Sequence, residues 1–88
     1  MENKKVWVVI EEYLHYEMSY KKIIGIFDDE SKAQETLKSL YARLVSDEDV
    51  DSHIFNEEKH EGKIWSFYDE ITDVYYKEYA LNVDYTLN

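Results

Sequence analysis

The side chains of this chain that could do chemistry gather in one run. From Asp47 to Glu58 the sequence reads Asp-Glu-Asp-Val-Asp-Ser-His-Ile-Phe-Asn-Glu-Glu, with carboxylates at Asp47, Asp49, Asp51 and Glu58. Short acidic side chains at alternate positions can converge on a hard cation, and a closing Glu can offer both oxygens to it. The other candidates are thinner. His15, His53 and His60 fall in no spacing that makes a metal or catalytic pair, although His53 and His60 share an acidic neighbourhood. None of the six serines sits in a Gly-x-Ser-x-Gly elbow, and Gly25 and Gly62 alone cannot build a phosphate-cradling loop. The absence of cysteine removes thiolate nucleophiles, disulfides and cysteine-held metals from the sequence altogether. Adjacent carboxylates recur at Glu11–Glu12, Asp28–Asp29, Glu57–Glu58 and Asp69–Glu70, but acid–base catalysis needs a carboxyl desolvated in a cleft. In so acidic a chain such pairs arise from composition, and a non-catalytic protein without a cofactor is expected.

The Asp47–Glu58 run resembles an EF-hand calcium loop, with acids at loop positions 1, 3, 5 and 12 and Ile54 at position 8. Two departures count against it. Ser52 stands where the sharp turn needs glycine, and the exit helix would carry Lys59, Gly62, Lys63 and Ser66 on its apolar side. The competing reading is a solvated acidic loop whose self-repulsion is tolerated.

Charge is unevenly spread. Net charge is −10, from 20 acids and 10 bases. Residues 1–45 hold eight acids and seven bases, whereas residues 46–88 hold twelve acids and only Lys59, Lys63 and Lys77. A chain of this kind lacks the basic patch that phosphate contacts require, so direct nucleic-acid binding is not expected. A partner with a basic surface is, because a one-signed field steers the opposite sign toward it. Nine tyrosines exceed what a small core can satisfy with buried hydroxyl partners, so several should be exposed and able to anchor a partner. The expected partner-binding set is Asp47, Asp49, Asp51, Glu57, Glu58, Asp69, Glu70 and Asp73, with Tyr75 and Tyr76 as aromatic anchors.

The elements that must position these residues follow from periodicity. With 88 residues the chain closes one core, so a single domain over 1–88 is expected. No apolar run reaches membrane-spanning length and the N-terminus lacks a signal-type apolar stretch, so a cytoplasmic protein is expected. Lys5–Glu12 reads as a strand with apolar residues on both faces, hence a central one. Tyr20–Phe27 reads as a second strand joined by a seven-residue connection, Tyr13–Ser19, with Gly25 marking a bulge or close packing. Asp28 or Asp29 then caps a helix running to about Ser46, whose apolar face is Ala33, Leu37, Leu40, Tyr41 and Leu44. Short strands are predicted at Ile54–Phe55 and Lys63–Tyr68. The stretch Asp69–Glu78 reads equally as a bent strand or a short helix, and the alternation of Tyr79, Leu81, Val83, Tyr85 and Leu87 predicts a C-terminal strand. The result is α+β: a ββαβββ chain with one amphipathic helix on a mostly antiparallel sheet.

The run Ile23-Ile24-Gly25-Ile26-Phe27-Asp28-Asp29-Glu30-Ser31-Lys32-Ala33, following a Trp-containing first strand, resembles small uncharacterised proteins of Gram-positive bacteria and their phages. The resemblance covers less than half of the chain and is structural: strand, acidic cap, helix. It implies a phage or prophage setting, in which small acidic proteins act as inhibitors by imitating phosphate charge in a host protein's nucleic-acid site. That step is analogy. Two alternatives stand beside it: a calcium-responsive protein using the loop 47–58, and a pocket protein that sequesters a small ligand.

Overall fold

The structure, a computed structural model, describes residues 4–81. Strands β1 (Lys5–His15) and β2 (Met18–Phe27), helix α1 (Glu30–Val45), then β3 (Val50–Asn56), β4 (Glu61–Ser66) and β5 (Ile71–Ala80) follow one another along the chain. They form a single five-stranded sheet in the order β2-β1-β5-β4-β3, with antiparallel pairing throughout. The ββαβββ order is thus the observed one, and β1, apolar on both faces, lies inside the sheet.

Helix α1 starts where the chemistry of its cap predicts. Asp29 is extended and its Oδ1 accepts the Ser31 N–H at 2.8 Å, while Glu30 lies favourably at the positive end of the helix dipole. Ala33, Leu37 and Leu40 are buried against Val9 of β1 and Val74 of β5, and Trp7, Ile24, Phe27, Tyr41, Leu44 and Phe55 close around them. Tyr41 and Phe55 pack ring against ring at 4.9 Å, which holds the β3 side of the sheet to the helix. Gly62 lies beneath them, and a Cβ there would meet the Tyr41 ring at 2.6 Å and Val74 Cγ2 at 3.0 Å.

Both edge strands are bulged. Val9 pairs with Gly25 but Ile10 with Ile23, leaving Ile24 as the extra residue of β2, turned into the core. The expected irregularity at Gly25 is therefore present, and its missing Cβ also leaves room for the Phe27 ring, which a Cβ would meet at 2.8 Å. On the opposite edge Val50 pairs with Ser66 and Ser52 with Trp65, so Asp51 is the extra residue of β3. Bulges and charged residues on edge strands oppose pairing with other chains.

The structure differs from the sequence reading at three places. The strand read at Lys63–Tyr68 is β4, Glu61–Ser66, so Phe67 and Tyr68 lie in the turn that follows it. The β1–β2 connection is a two-residue turn, Tyr16–Glu17, because both strands run on to His15 and Met18 with Tyr13 stacked on Tyr20 at 5.0 Å. Cross-strand aromatic stacking extends the ladder where sequence polarity reads as loop. The last strand is also displaced: Asp69–Glu78, ambiguous by pattern, is mostly β5, whereas Leu81 lies in a turn and the predicted strand residues Val83, Tyr85 and Leu87 lie outside the described residues.

Leu37 fills the centre of the core and is fully buried. Leu37→Ala should cost about 3 kcal/mol in urea unfolding, and Asp29→Ala about 1 kcal/mol through the lost cap. Gly62→Ala should destabilise by about 1–3 kcal/mol through the Tyr41 clash, and an unchanged urea midpoint would show that the ring moves freely.

Candidate interaction surfaces

Three connections meet at one end of the sheet: the α1–β3 loop, the β4–β5 turn and the β1–β2 turn. Ser66 organises the β4–β5 turn. Its Oγ accepts the N–H groups of Tyr68 (3.0 Å) and Glu70 (3.2 Å), and its own N–H donates to the Glu70 carbonyl (3.0 Å). Asp69 takes a left-handed conformation, φ 60°, which Asp tolerates better than most residues. The turn is tied to the α1–β3 loop by Phe67 N–H donating to the Asp49 carbonyl at 3.0 Å, and that loop is itself closed by Asp47 Oδ1 accepting the Asp49 N–H at 2.9 Å.

This tie brings Asp47, Glu48, Asp49 and Asp51 beside Asp69 and Glu70. The sequence holds no Lys or Arg between Arg43 and Lys59, or between Lys63 and Lys77, so no base interrupts the cluster from its own segments. Two clefts flank it. One, of about 420 Å³, is lined by Asp51, Trp65, Asp69 and Glu70, and a smaller one, of about 130 Å³, by Asp47, Asp49 and Glu70. Neither is lined by a Lys or Arg. Phe67 and Tyr68 project at the same place, 64% and 63% exposed. Burial first and the neighbouring Glu70 carboxylate second raise the pKa of the Tyr13 hydroxyl.

The position of the cluster runs against local electrostatics. Asp47, Glu48 and Asp49 follow directly on the C-terminus of α1, where the helix dipole is negative and cations are favoured. Each carboxylate there costs stability at low salt, and no Lys or Arg forms an ion pair with it among the described residues.

The remaining site residues expected from sequence lie elsewhere. Glu57 and Glu58 occupy the β3–β4 turn at the far end of β3, with Glu57 paired to Lys38 at 3.4 Å. Asp73 lies on the sheet face away from the helix and pairs with Lys63 at 3.7 Å. Tyr75 and Tyr76, adjacent along β5, point to opposite faces. Tyr75 donates to Glu12 Oε1 at 3.0 Å on the open face, whereas Tyr76 donates to Glu30 Oε2 at 2.7 Å and accepts from Gln34 at 3.2 Å beside the helix. The structure therefore gathers Asp47, Asp49, Asp51, Asp69 and Glu70 and separates the other five. Glu48, Phe67 and Tyr68 join the gathered set. A Phe-Tyr pair directly before Asp69-Glu70, bounded by strand patterns, was the sequence signal for an aromatic turn among acids.

The calcium-loop geometry does not form. Residues 50–56 are the extended strand β3, about 23 Å long at 3.3 Å per residue, so Asp47 and Glu58 stand at its opposite ends and cannot share one ion. Among the described residues no three His, Asp or Glu side chains converge in a metal-binding group. His53 instead bonds through Nδ1 to the Tyr41 hydroxyl at 2.6 Å, and the His60 ring lies 6.1 Å from that of Tyr76.

The sheet face opposite α1 carries a third cleft, of about 650 Å³, bordered by Lys21, Lys63, Lys77, Glu12, Asp73 and Tyr75. Burial first, and then the bond to Glu12, push the Tyr75 hydroxyl up to about 12. A raised folded-state pKa means that the folded chain holds this proton longer than the unfolded one, so its contribution is full below pH 10 and is lost as pH rises toward 12. Spectrophotometric titration should show one late phenolate that disappears in Tyr75→Phe and moves to lower pH in Glu12→Gln.

No helix among the described residues is long and apolar enough to cross a membrane. In comparison with known proteins, the chain matches no family model, no curated protein and no solved structure, so what it does has to be read from its own surfaces.

Proposed function

We propose that the protein acts by binding, without covalent chemistry, and that its acidic end docks on the basic, nucleic-acid-binding surface of a partner protein. The observation that carries this reading is the acidic cluster around Phe67 and Tyr68, built at the one helix terminus where carboxylates weaken the fold. Stability is commonly given up at sites that serve function. Carboxylates held by a hydrogen-bonded pair of loops can meet Arg and Lys side chains without first being ordered, and charge-assisted bonds of that kind are strong. Phe67 and Tyr68 supply the apolar contact that charge alone lacks, since aromatic anchors dominate binding energy at most interfaces. A phage-encoded inhibitor of a host defence or nucleic-acid-binding protein is the setting that fits such a surface.

The helix dipole makes the test two-sided. Glu48→Lys/Asp49→Lys replaces two side chains that make no bond of their own among the described residues, so it should raise the urea midpoint while weakening partner capture by at least about tenfold. Phe67→Ala should also weaken capture, with less dependence on salt. The measurement is affinity capture from a lysate of the native host at increasing salt, with duplex DNA as competitor. Capture that resists both salt and DNA, or that is unchanged in the double-lysine variant, would refute the imitation of phosphate charge.

A further inference from the structure

One helix covers one face of the sheet, and among the described residues no element covers the other. Strand alternation and register lay that open face out in rows. One row is apolar across three strands: Ile23 of β2, Ile10 of β1 and Tyr75 of β5. Beside it, Ile26, Val8 and Lys77 form a second row, and Lys21, Glu12, Asp73, Lys63 and Ile54 a third. Val8 and Ile10 are buried, but Ile23, Ile26 and Ile54 are 63%, 62% and 62% exposed. Ile23 and Ile26 are neighbours on edge strand β2, beside Ile10 and Val8, and apolar exposure grouped in this way marks a contact surface.

The geometry points to a second copy of this chain as the occupant, packed face to face on the open side about a two-fold axis along the Ile23–Ile10–Tyr75 row. Three observations select a copy of this chain over a different partner. The first is charge. The face holds Lys21, Lys63 and Lys77 against Glu12, Glu61 and Asp73, so it is locally neutral in a chain of net −10. It is the face on which two such acidic molecules can meet with least repulsion.

The second is self-complementarity. On β5 the open-face residues run Asp73, Tyr75, Lys77, a carboxylate and an ammonium two residues to either side of the central tyrosine. A two-fold axis crossing β5 at Tyr75 sets Lys77 of each copy opposite Asp73 of the other, twice over, as an isologous contact requires. The same axis sets Ile23 and Ile10 against their own copies, and the one like-charge approach it makes is Glu61 of β4, beside Tyr75 in the register, toward its own copy, against the two Lys77–Asp73 pairs. Lys77 makes no ion pair among the described residues.

The third is area. Five strands at about 4.8 Å spacing and about eight residues at 3.4 Å give a face of roughly 24 by 27 Å. That is about 650 Å², at the lower end of the range centred on ~800 Å² per partner of a standard stable interface. Two twisted sheets stack face to face at about 10 Å, a distance that the side chains of Lys77 and Asp73 can span between them. The larger acidic cleft borders the end of this face at Trp65 and Ile71, whereas the cleft at Asp47 and Asp49 opens on the helix side beside Leu44 and Ile64 and stays free in such a dimer, which does not depend on the function proposed above.

Light scattering after size exclusion, on the full chain from about 1 µM to about 1 mM, tests the assignment over the usual range of dimer affinities. The apparent mass should rise from 10.7 kDa toward twice that value. Ile23→Glu should leave a monomer with an unchanged circular dichroism spectrum. Lys77→Glu should weaken association by at least about tenfold, and Asp73→Lys/Lys77→Glu, which restores the reciprocal pairs, should recover it. A chain that stays at one mass throughout would overturn the proposal and leave the face to another partner. So would a dimer indifferent to Ile23→Glu, and failure of the charge swap to recover a dimer lost in Lys77→Glu would overturn the two-fold.

Discussion

A single helix laid on five strands sets the terms for this molecule. An α-helix with its side chains is about 10 Å across, whereas five strands at about 4.8 Å spacing span roughly 24 Å. Helix α1 can therefore seal only the middle of one face, and it does so over Val9 and Val74, the adjoining strands β1 and β5. The sheet margins are held by larger side chains that reach inward: Trp7, Ile24 and Phe27 on one flank, Tyr41 and Phe55 on the other. Gly62 belongs to the same arrangement, since only a residue without a Cβ leaves space for the Tyr41 ring above β4.

The opposite face has no such cover among the described residues and is treated differently. Val8 and Ile10 are nonetheless buried there, Val8 flanked by Ile26 and Lys77 and Ile10 by Ile23 and Tyr75, and a lysine stem can serve as apolar cover beneath its charged head. Charges of both signs share the row of Lys21, Glu12, Asp73 and Lys63, and the pairing of Lys63 with Asp73 and of Tyr75 with Glu12 offsets them locally. This face is thus apolar in its contacts and neutral in its field. It differs in kind from the acidic end, where one sign accumulates and nothing nearby offsets it.

The acidic end owes its shape to a small set of hydrogen bonds, one of them accepted by the Asp47 carboxylate itself. Ser66 closes the β4–β5 turn, Asp47 closes the α1–β3 loop, and the Phe67–Asp49 bond joins the two. These groups are local and satisfied, so the surface is ordered before any partner arrives. Asp47, Glu48, Asp49, Asp51 and Asp69 remain exposed and Glu70 is half-buried, and no Lys or Arg forms an ion pair with them among the described residues.

By itself the sequence determined the local chemistry. The Asp29 cap, the apolar period of Ala33, Leu37 and Leu40, the irregularity at Gly25 and the strand character of β1 depend on near neighbours along the chain, and they stand where the pattern puts them, while β4 is a strand as read but ends two residues early, at Ser66. What the tertiary structure decided depends on strand order and register. Insertion of β5 between β1 and β4 made a strand of an ambiguous segment and put Tyr75 and Tyr76 on opposite faces. Pairing of β3 with β4 drew the Asp47–Glu58 run into an extended strand, so spacing that could have closed around an ion was spent along about 23 Å of sheet. The acids were legible from the start, but their grouping was not. Which carboxylates share a surface is set by which strands pair, and pairing is a property of the whole core that no window of neighbouring residues contains.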